Sequence, residues 1–94
     1  MKEKIINLIE RKNNTILKIN KYITLRRQYY KKIGTTTMVD KITVESSITS
    51  FRDGVKEIES RDWRTILKEV NEFQKEMFAK ASEKYIKQVE NGYL

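Results

Sequence analysis

Residues 2–33, KEKIINLIERKNNTILKINKYITLRRQYYKKI, determine how the fold of this chain is interpreted. Their apolar residues recur at spacings built from threes and fours, at Ile5, Ile9, Ile16, Ile19, Ile23, Tyr30 and Ile33. Such spacing places side chains on one face of an α-helix, so it predicts one long helix over about 2–33. Gly34 follows directly, as expected where a helix ends. Asn13-Asn14-Thr15 is the weak point, either a kink or the boundary between two shorter helices.

Residues 41–60 are compatible with two structures. A helix over about 41–59 is favoured by apolar residues spaced four, three, four and three apart, at Val44, Ile48, Phe51, Val55 and Ile58. A short β-hairpin over about 41–58 is favoured by the β-branched residues and by the turn signal Asp53-Gly54. We prefer the helix because all five apolar positions match it.

A third apolar line begins at Trp63 and predicts a helix over about 62–90. The predicted fold is therefore all-α, as one domain over residues 1–94. It is an antiparallel three-helix bundle or extended helical hairpin. The alternative is an α+β fold with a short β-hairpin between two long helices.

The composition excludes several kinds of chemistry. The 94 residues contain no cysteine, histidine or proline, so disulfides, thiol nucleophiles, Ser-His-Asp triads and imidazole metal ligands are all excluded. Carboxylates recur in the third segment, at Glu69, Glu72, Glu76 and Glu83, but interleaved lysines indicate a solvated, ion-paired face. We expect no enzyme activity, no cofactor and no bound metal.

The positive charge is concentrated at the start of the chain. The net charge is +7; residues 1–34 hold ten basic and two acidic side chains, whereas the remainder holds ten basic and eleven acidic ones. The whole excess therefore belongs to the first segment, and it points to an anionic partner. Nucleic acid is one such partner, with candidate contacts at Lys18, Lys21, Arg26, Arg27, Tyr29, Lys31 and Lys32. An anionic membrane surface is a weaker alternative.

The first apolar stripe is wider than two shorter helices would cover. We therefore interpret the chain first as a non-catalytic helical adaptor. It would pair with another helical protein or with itself through apolar stripes. Candidate partner-binding residues are Ile16, Ile19, Ile23, Tyr30 and Trp63, and nucleic-acid binding is the second hypothesis.

The stretch Ser60-Arg61-Asp62-Trp63-Arg64-Thr65 lies between two predicted helices. It resembles the tryptophan-bearing turn of the small helical-hairpin proteins of type VII secretion. The resemblance covers about residues 41–90 and implies a helical partner in a secretion complex. Thr65 stands where that family has glycine, and Tyr85 is followed four residues later by Val89 rather than by an acidic residue.

No membrane-spanning segment is predicted, because the longest uninterrupted apolar run is Met77-Phe78-Ala79. The first residues have no apolar stretch of signal-peptide length. We expect a cytoplasmic protein, or one exported without a cleaved signal.

Overall fold

The computed structural model describes residues 1–48 and 54–90, with side chains described as far as residue 82. The elements in chain order are α1 (Lys2–Glu10), β1 (Thr15–Lys18), β2 (Ile23–Lys31), β3 (Met38–Ser46), β4 (Val55–Ile58) and α2 (Trp63–Glu90). The strands form one antiparallel sheet in the order β1-β2-β3-β4. The fold is α+β, so the predicted all-α bundle and helical hairpin, with their coiled-coil packing, are wrong.

The prediction of a long helix over 2–33 is wrong, because α1, β1 and β2 occupy this range. The alternation of side chains along a strand explains the apparent helical stripe. Successive side chains of a strand point to opposite faces, so residues seven apart in one strand cannot share a face. In β2, Ile23 is fully buried against the helices, whereas Tyr30 lies on the other face and is 44% exposed. Ile16, on β1, also lies on that other face and is 63% exposed. The apparent stripe is therefore divided between the two faces of a sheet.

The first helix ends shortly before Asn13-Asn14-Thr15. α1 ends at Glu10, and the Asn14 side-chain carbonyl accepts a hydrogen bond of 3.0 Å from the backbone N–H of Tyr29. The Thr15 hydroxyl donates to Asn13 Oδ1 at 2.7 Å. Asn14 thus satisfies a backbone group of β2 instead of continuing the helix, and Asn13 and Thr15 bond to each other.

The helix predicted over 41–59 is also absent, because strands β3 and β4 occupy the described part of that range. Ile42 pairs with Ile58 and Val44 with Lys56 in antiparallel register. The α+β alternative therefore had the right secondary structure for this segment, although it kept a long first helix and missed the four-stranded sheet. The predicted positions Phe51 and Asp53 lie outside the described residues.

α2 lies where a helix over 62–90 was predicted, and it supplies much of the core. The core contains buried apolar side chains from both helices and three strands: Ile5, Leu8, Ile23, Leu25, Ile42, Val44, Ile58, Ile66, Val70, Phe73 and Met77. Both helices lie on the same side of the sheet, where the odd-numbered residues of β2 meet them. The opposite side of β1 and β2 is left free of either described helix.

Two turns shape the sheet. Between β1 and β2, Asn20 Oδ1 accepts hydrogen bonds from the backbone N–H groups of Tyr22 and Ile23, at 2.9 and 3.0 Å. Between β2 and β3, the backbone N–H of Lys32 donates to Thr37 O at 2.9 Å. Gly34 lies in this second turn with φ +78°, a conformation that glycine adopts without steric cost. Gly34 therefore forms part of a β-turn rather than the predicted end of a helix.

Matched substitutions on the two faces of the sheet test this arrangement. Ile23→Thr places a hydroxyl in the core and should lower the free energy of unfolding by about 3 kcal/mol. Ile16→Thr keeps the β-branched shape on the exposed face and should change it by no more than about 0.5 kcal/mol. Urea unfolding followed by circular dichroism measures both. Equal losses for the two variants would indicate one helical stripe and contradict the sheet.

Candidate functional site

The second side of the sheet presents a mixed polar and apolar surface, which we call the open face. β2 contributes Thr24, Arg26, Gln28 and Tyr30 to it. Cross-strand pairing places residues from the other three strands beside them, namely Ile16, Lys18, Val39, Lys41, Thr43, Glu45, Val55 and Glu57. The open face therefore combines an aromatic ring, cations and hydrogen-bonding side chains on a surface that neither described helix covers.

A shallow groove of about 370 Å³ runs along one end of the open face. It is lined by Asn14, Thr15, Ile16, Arg26, Arg27, Gln28 and Tyr30. The exposed side chains of Ile16 and Tyr30 give it apolar contact area, while Arg26 and Gln28 give it donors. Such a combination suits a ligand with both flat apolar parts and acceptor atoms.

Arg26 has unused hydrogen-bonding capacity in this groove. Its Nη2 lies 3.5 Å from Glu45 Oε2, a partly exposed ion pair of small energetic value. Its Nε is buried without a hydrogen-bond partner among the described residues. The hydroxyl of Thr43, the cross-strand neighbour of Arg26, is also buried without a hydrogen-bond partner among the described residues. Two adjacent polar atoms are therefore unsatisfied in the described part of the chain.

A two-stranded ribbon extends from the sheet beyond its neighbours. β1 pairs with β2 only as far as Arg27, and β4 pairs with β3 only as far as Ile42. Residues 28–41, which we call the arm, thus pair only with each other in the described sheet. The outer end of the arm carries Lys31, Lys32, an Ile33 side chain that is 99% exposed, and an exposed Met38. A shallow concavity of about 530 Å³ follows residues 31–36 around its tip.

The base of the arm is fixed by Arg27, which is only 3% exposed. Its Nη1 donates to the backbone carbonyls of Leu8, Ile9 and Arg11, at 3.2 Å for Leu8 and 3.1 Å for Arg11. These carbonyls lie at the C-terminal end of α1, where helix carbonyls lack intrahelical partners. The other side of the guanidinium donates to Asp40 on β3.

The Arg27–Asp40 contact is bidentate and links the two strands of the arm. Arg27 Nε lies 3.1 Å from Asp40 Oδ1, and Nη2 lies 2.9 Å from Oδ2. Hydrogen bonding from Arg27 lowers the pKa of Asp40 below its ordinary value of 3.8, against the opposing effect of burial. The charges of Arg27, Arg61 and Lys12 act in the same lowering direction. Asp40 is therefore held ionised as the counterion of a buried arginine.

The candidate partner-binding residues separate into two groups. Ile23 is in the core, and Ile19 is partly buried against it. Trp63 is also partly buried against the core, with Lys2 Nζ 4.8 Å and Arg64 Cζ 5.2 Å from its ring. Ile16 and Tyr30, by contrast, line the same groove of the open face. Two of the five candidates are thus brought together on an accessible surface.

The candidate nucleic-acid contacts are divided in the same way. Lys18 and Arg26 lie on the open face, and Lys31 and Lys32 lie at the end of the arm. Lys21 lies in the turn between β1 and β2, with its Nζ 5.6 Å from the Tyr22 ring. Tyr29 is half-buried beside Arg27, whose Cζ is 5.9 Å from its ring centroid. Burial and pairing make Arg27 a structural residue rather than a surface contact.

Several residues of the open face and the arm were not among the candidates from the sequence, including Gln28, Ile33, Lys41 and Thr43. Ile33 was counted in a helical stripe, although Lys31-Lys32-Ile33-Gly34 combines charge with a turn-forming glycine, a signal of an exposed loop. Lys41 and Thr43 were assigned to a helix. Alternation of apolar and polar residues from Ile23 to Gln28 was the signal that could have placed Gln28 on the open face.

No family model, curated protein or solved structure matches this chain. Over residues 1–48 and 54–90, no cluster of three or more acidic side chains could hold a metal ion. None of the described helices has the length and hydropathy needed to span a bilayer.

The Arg27–Asp40 pair predicts a pH dependence of stability. Because the pKa of Asp40 is lowered on folding, its stabilisation is fully present above the ordinary pKa of 3.8. It is lost as the pH falls through the lower pKa of the folded state. Asp40→Asn should cost about 1 kcal/mol at neutral pH, a modest value because the Asp40 carboxyl is partly exposed, and should flatten the acid limb.

Urea unfolding at several pH values between neutral and acid measures this effect. Glu57→Gln, a change of the same type at an exposed position on β4, is the matched control and should retain the acid limb. An Asp40→Asn variant with the same acid dependence as the unchanged protein would contradict the assignment.

Proposed function

We propose that this chain is a non-catalytic nucleic-acid-binding module that uses the open face and the arm together. The supporting observation is that five cations lie on the open face or at the end of the arm that extends from the sheet. Lys18, Arg26 and Lys41 lie on the open face, and Lys31 and Lys32 lie at the end of the arm. Phosphates are the ligands that such a row of cations would attract, with release of counterions.

The remaining side chains of the open face also suit nucleic acid. The ring of Tyr30 is accessible for stacking on an unpaired base, and Gln28 and Thr24 offer hydrogen-bonding groups. The partly exposed guanidinium of Arg26 supplies further donors at the groove. The open face and the arm together carry three acidic residues, Asp40, Glu45 and Glu57, against the five cations named above.

The exposed side of α2 provides a contrast. Its cations Arg64, Lys68, Lys75 and Lys80 alternate with Glu69, Glu72 and Glu76. Lys80 Nζ lies 3.3 Å from Glu76 Oε1, so part of this charge is paired within the helix. A polyanion would therefore gain more from the arm and the open face than from α2.

A protein partner is a second candidate function, and Ile16 favours it. The Ile16 side chain is 63% exposed and lies beside Tyr30 in the groove. Phosphate contacts do not need this apolar area, whereas a protein partner could bury it. Such a partner would carry acidic residues opposite Arg26 and Lys41. Pairing through apolar helix stripes, as first expected, is not part of this proposal because the first stripe is divided between α1, the two faces of the sheet and a turn.

Fluorescence anisotropy with labelled single-stranded DNA, duplex DNA and RNA tests the proposed function. The double variant Lys31→Gln/Lys32→Gln should bind duplex DNA roughly tenfold or more weakly. Its slope of log affinity against log salt should be smaller by about 1.8, between about 50 and 200 mM salt, because two phosphate contacts are lost.

Lys68→Gln/Lys75→Gln is the matched control, since it removes the same charge from α2. It should reduce affinity by no more than about twofold, as expected for general long-range attraction. Equal effects of the two double variants would show that only net charge matters. Absence of salt-sensitive binding to all three nucleic acids would overturn the proposal.

A further inference from the structure

The tip of the arm carries an apolar side chain whose exposure the fold does not explain. Ile33 is 99% exposed, whereas the core residues Ile5, Ile23, Ile42 and Ile66 have no exposed surface. A fully exposed isoleucine contributes no buried area to folding. Lys31 and Lys32 immediately precede it, and the concavity around the tip is lined by these residues and the following turn.

We propose that the arm binds duplex DNA and that Ile33 is an apolar wedge inserted at a base step, with Lys31 and Lys32 on the flanking phosphates. This inference rests on the proposed function and specifies its substrate class. Apolar side chains at the ends of basic elements can enter between base pairs, unstack them partly and bend the duplex. The energy of unstacking is offset when bending brings more phosphates to the protein surface.

The dimensions of the arm suit this role. Beyond Arg27 the arm is only two strands wide, and neighbouring strands are about 4.8 Å apart. A ribbon of two strands is narrow enough to enter a groove of DNA. From Gln28 to Lys31, the last residue of β2, the strand extends for roughly 10 Å, and the turn with Ile33 lies beyond it. The tip can therefore reach a groove while the open face stays near the backbone.

The base of the arm limits its motion. Arg27 joins Asp40 on the opposite strand to three carbonyls at the end of α1. Arg61 Nη2 adds a contact of 3.7 Å to Asp40 Oδ1. An arm held by these contacts loses little conformational entropy when it binds, which favours insertion of a wedge.

Charge complementarity selects DNA over the other occupants of this surface. A second copy of the chain, with net charge +7, would place like charges opposite Lys31 and Lys32. An anionic bilayer would contact Ile33 and the two lysines at the tip. A duplex can also reach Arg26, Lys41 and Lys18 along the open face, so it engages more cations in one complex.

Threonine substitutions at two exposed apolar residues test the inference. Ile33→Thr should weaken binding to duplex DNA by about tenfold and leave the slope against salt unchanged. Fluorescence resonance energy transfer between dyes at the two ends of the duplex should report a bend with the unchanged protein and little bend with this variant. Increased 2-aminopurine fluorescence should report the unstacked step.

Phe78→Thr removes an exposed apolar side chain from α2, outside the proposed binding surface, so it is the control and should retain the bend. Full bending and affinity with Ile33→Thr would overturn the wedge while leaving the proposed function intact. Preference for single-stranded DNA or RNA over duplex, with salt-sensitive binding, would likewise overturn the wedge alone. Binding to phosphatidylserine vesicles without binding to any nucleic acid would overturn both proposals.

Discussion

The packing of the first helix against the arm depends on the hydrogen bonds of the Arg27 guanidinium. It donates to three carbonyls at the end of α1 and, on its other side, to both carboxylate oxygens of Asp40. Arginine has five N–H donors in a planar fork, which allows one side chain to serve a helix end and a carboxylate together. Because it is almost completely buried, its charge must be satisfied in these ways. It thus joins the first helix to the base of the arm.

Only part of the secondary structure of the first segment could be predicted from the sequence. The buried positions Ile23, Leu25 and Arg27 alternate as a strand requires, but the third of them is charged. A sequence pattern does not reveal that an arginine will be buried, because its carbonyl and carboxylate partners come from α1 and β3. The spacing of Ile16, Ile23 and Tyr30 gave a competing helical signal. α2 was more predictable, because its apolar line runs through Ile66, Val70, Phe73 and Met77 without such conflict.

The sequence indicated the positive charge of the candidate surface but not which residues form that surface. The excess of cations before Gly34 was visible in the sequence, and Lys31 and Lys32 do lie together at the end of the arm. The sequence did not reveal which cations were accessible, because that depends on tertiary pairing. Register placed Lys41 opposite Gln28 and brought Ile16 and Arg26 side by side. An anionic partner therefore stays a prediction from the sequence, whereas the open face and the exposed Ile33 became apparent only from the sheet.

We propose that the arm and the open face form one binding surface for a polyanion. Titration of the ¹⁵N-labelled protein with a short DNA duplex, followed by heteronuclear NMR, tests it most directly. The amide shifts should change in the arm, residues 28–41, and at Ile16 and Arg26, whereas those of residues 64–80 of α2 should remain unchanged. Changes confined to α2, or no changes at low salt, would contradict it.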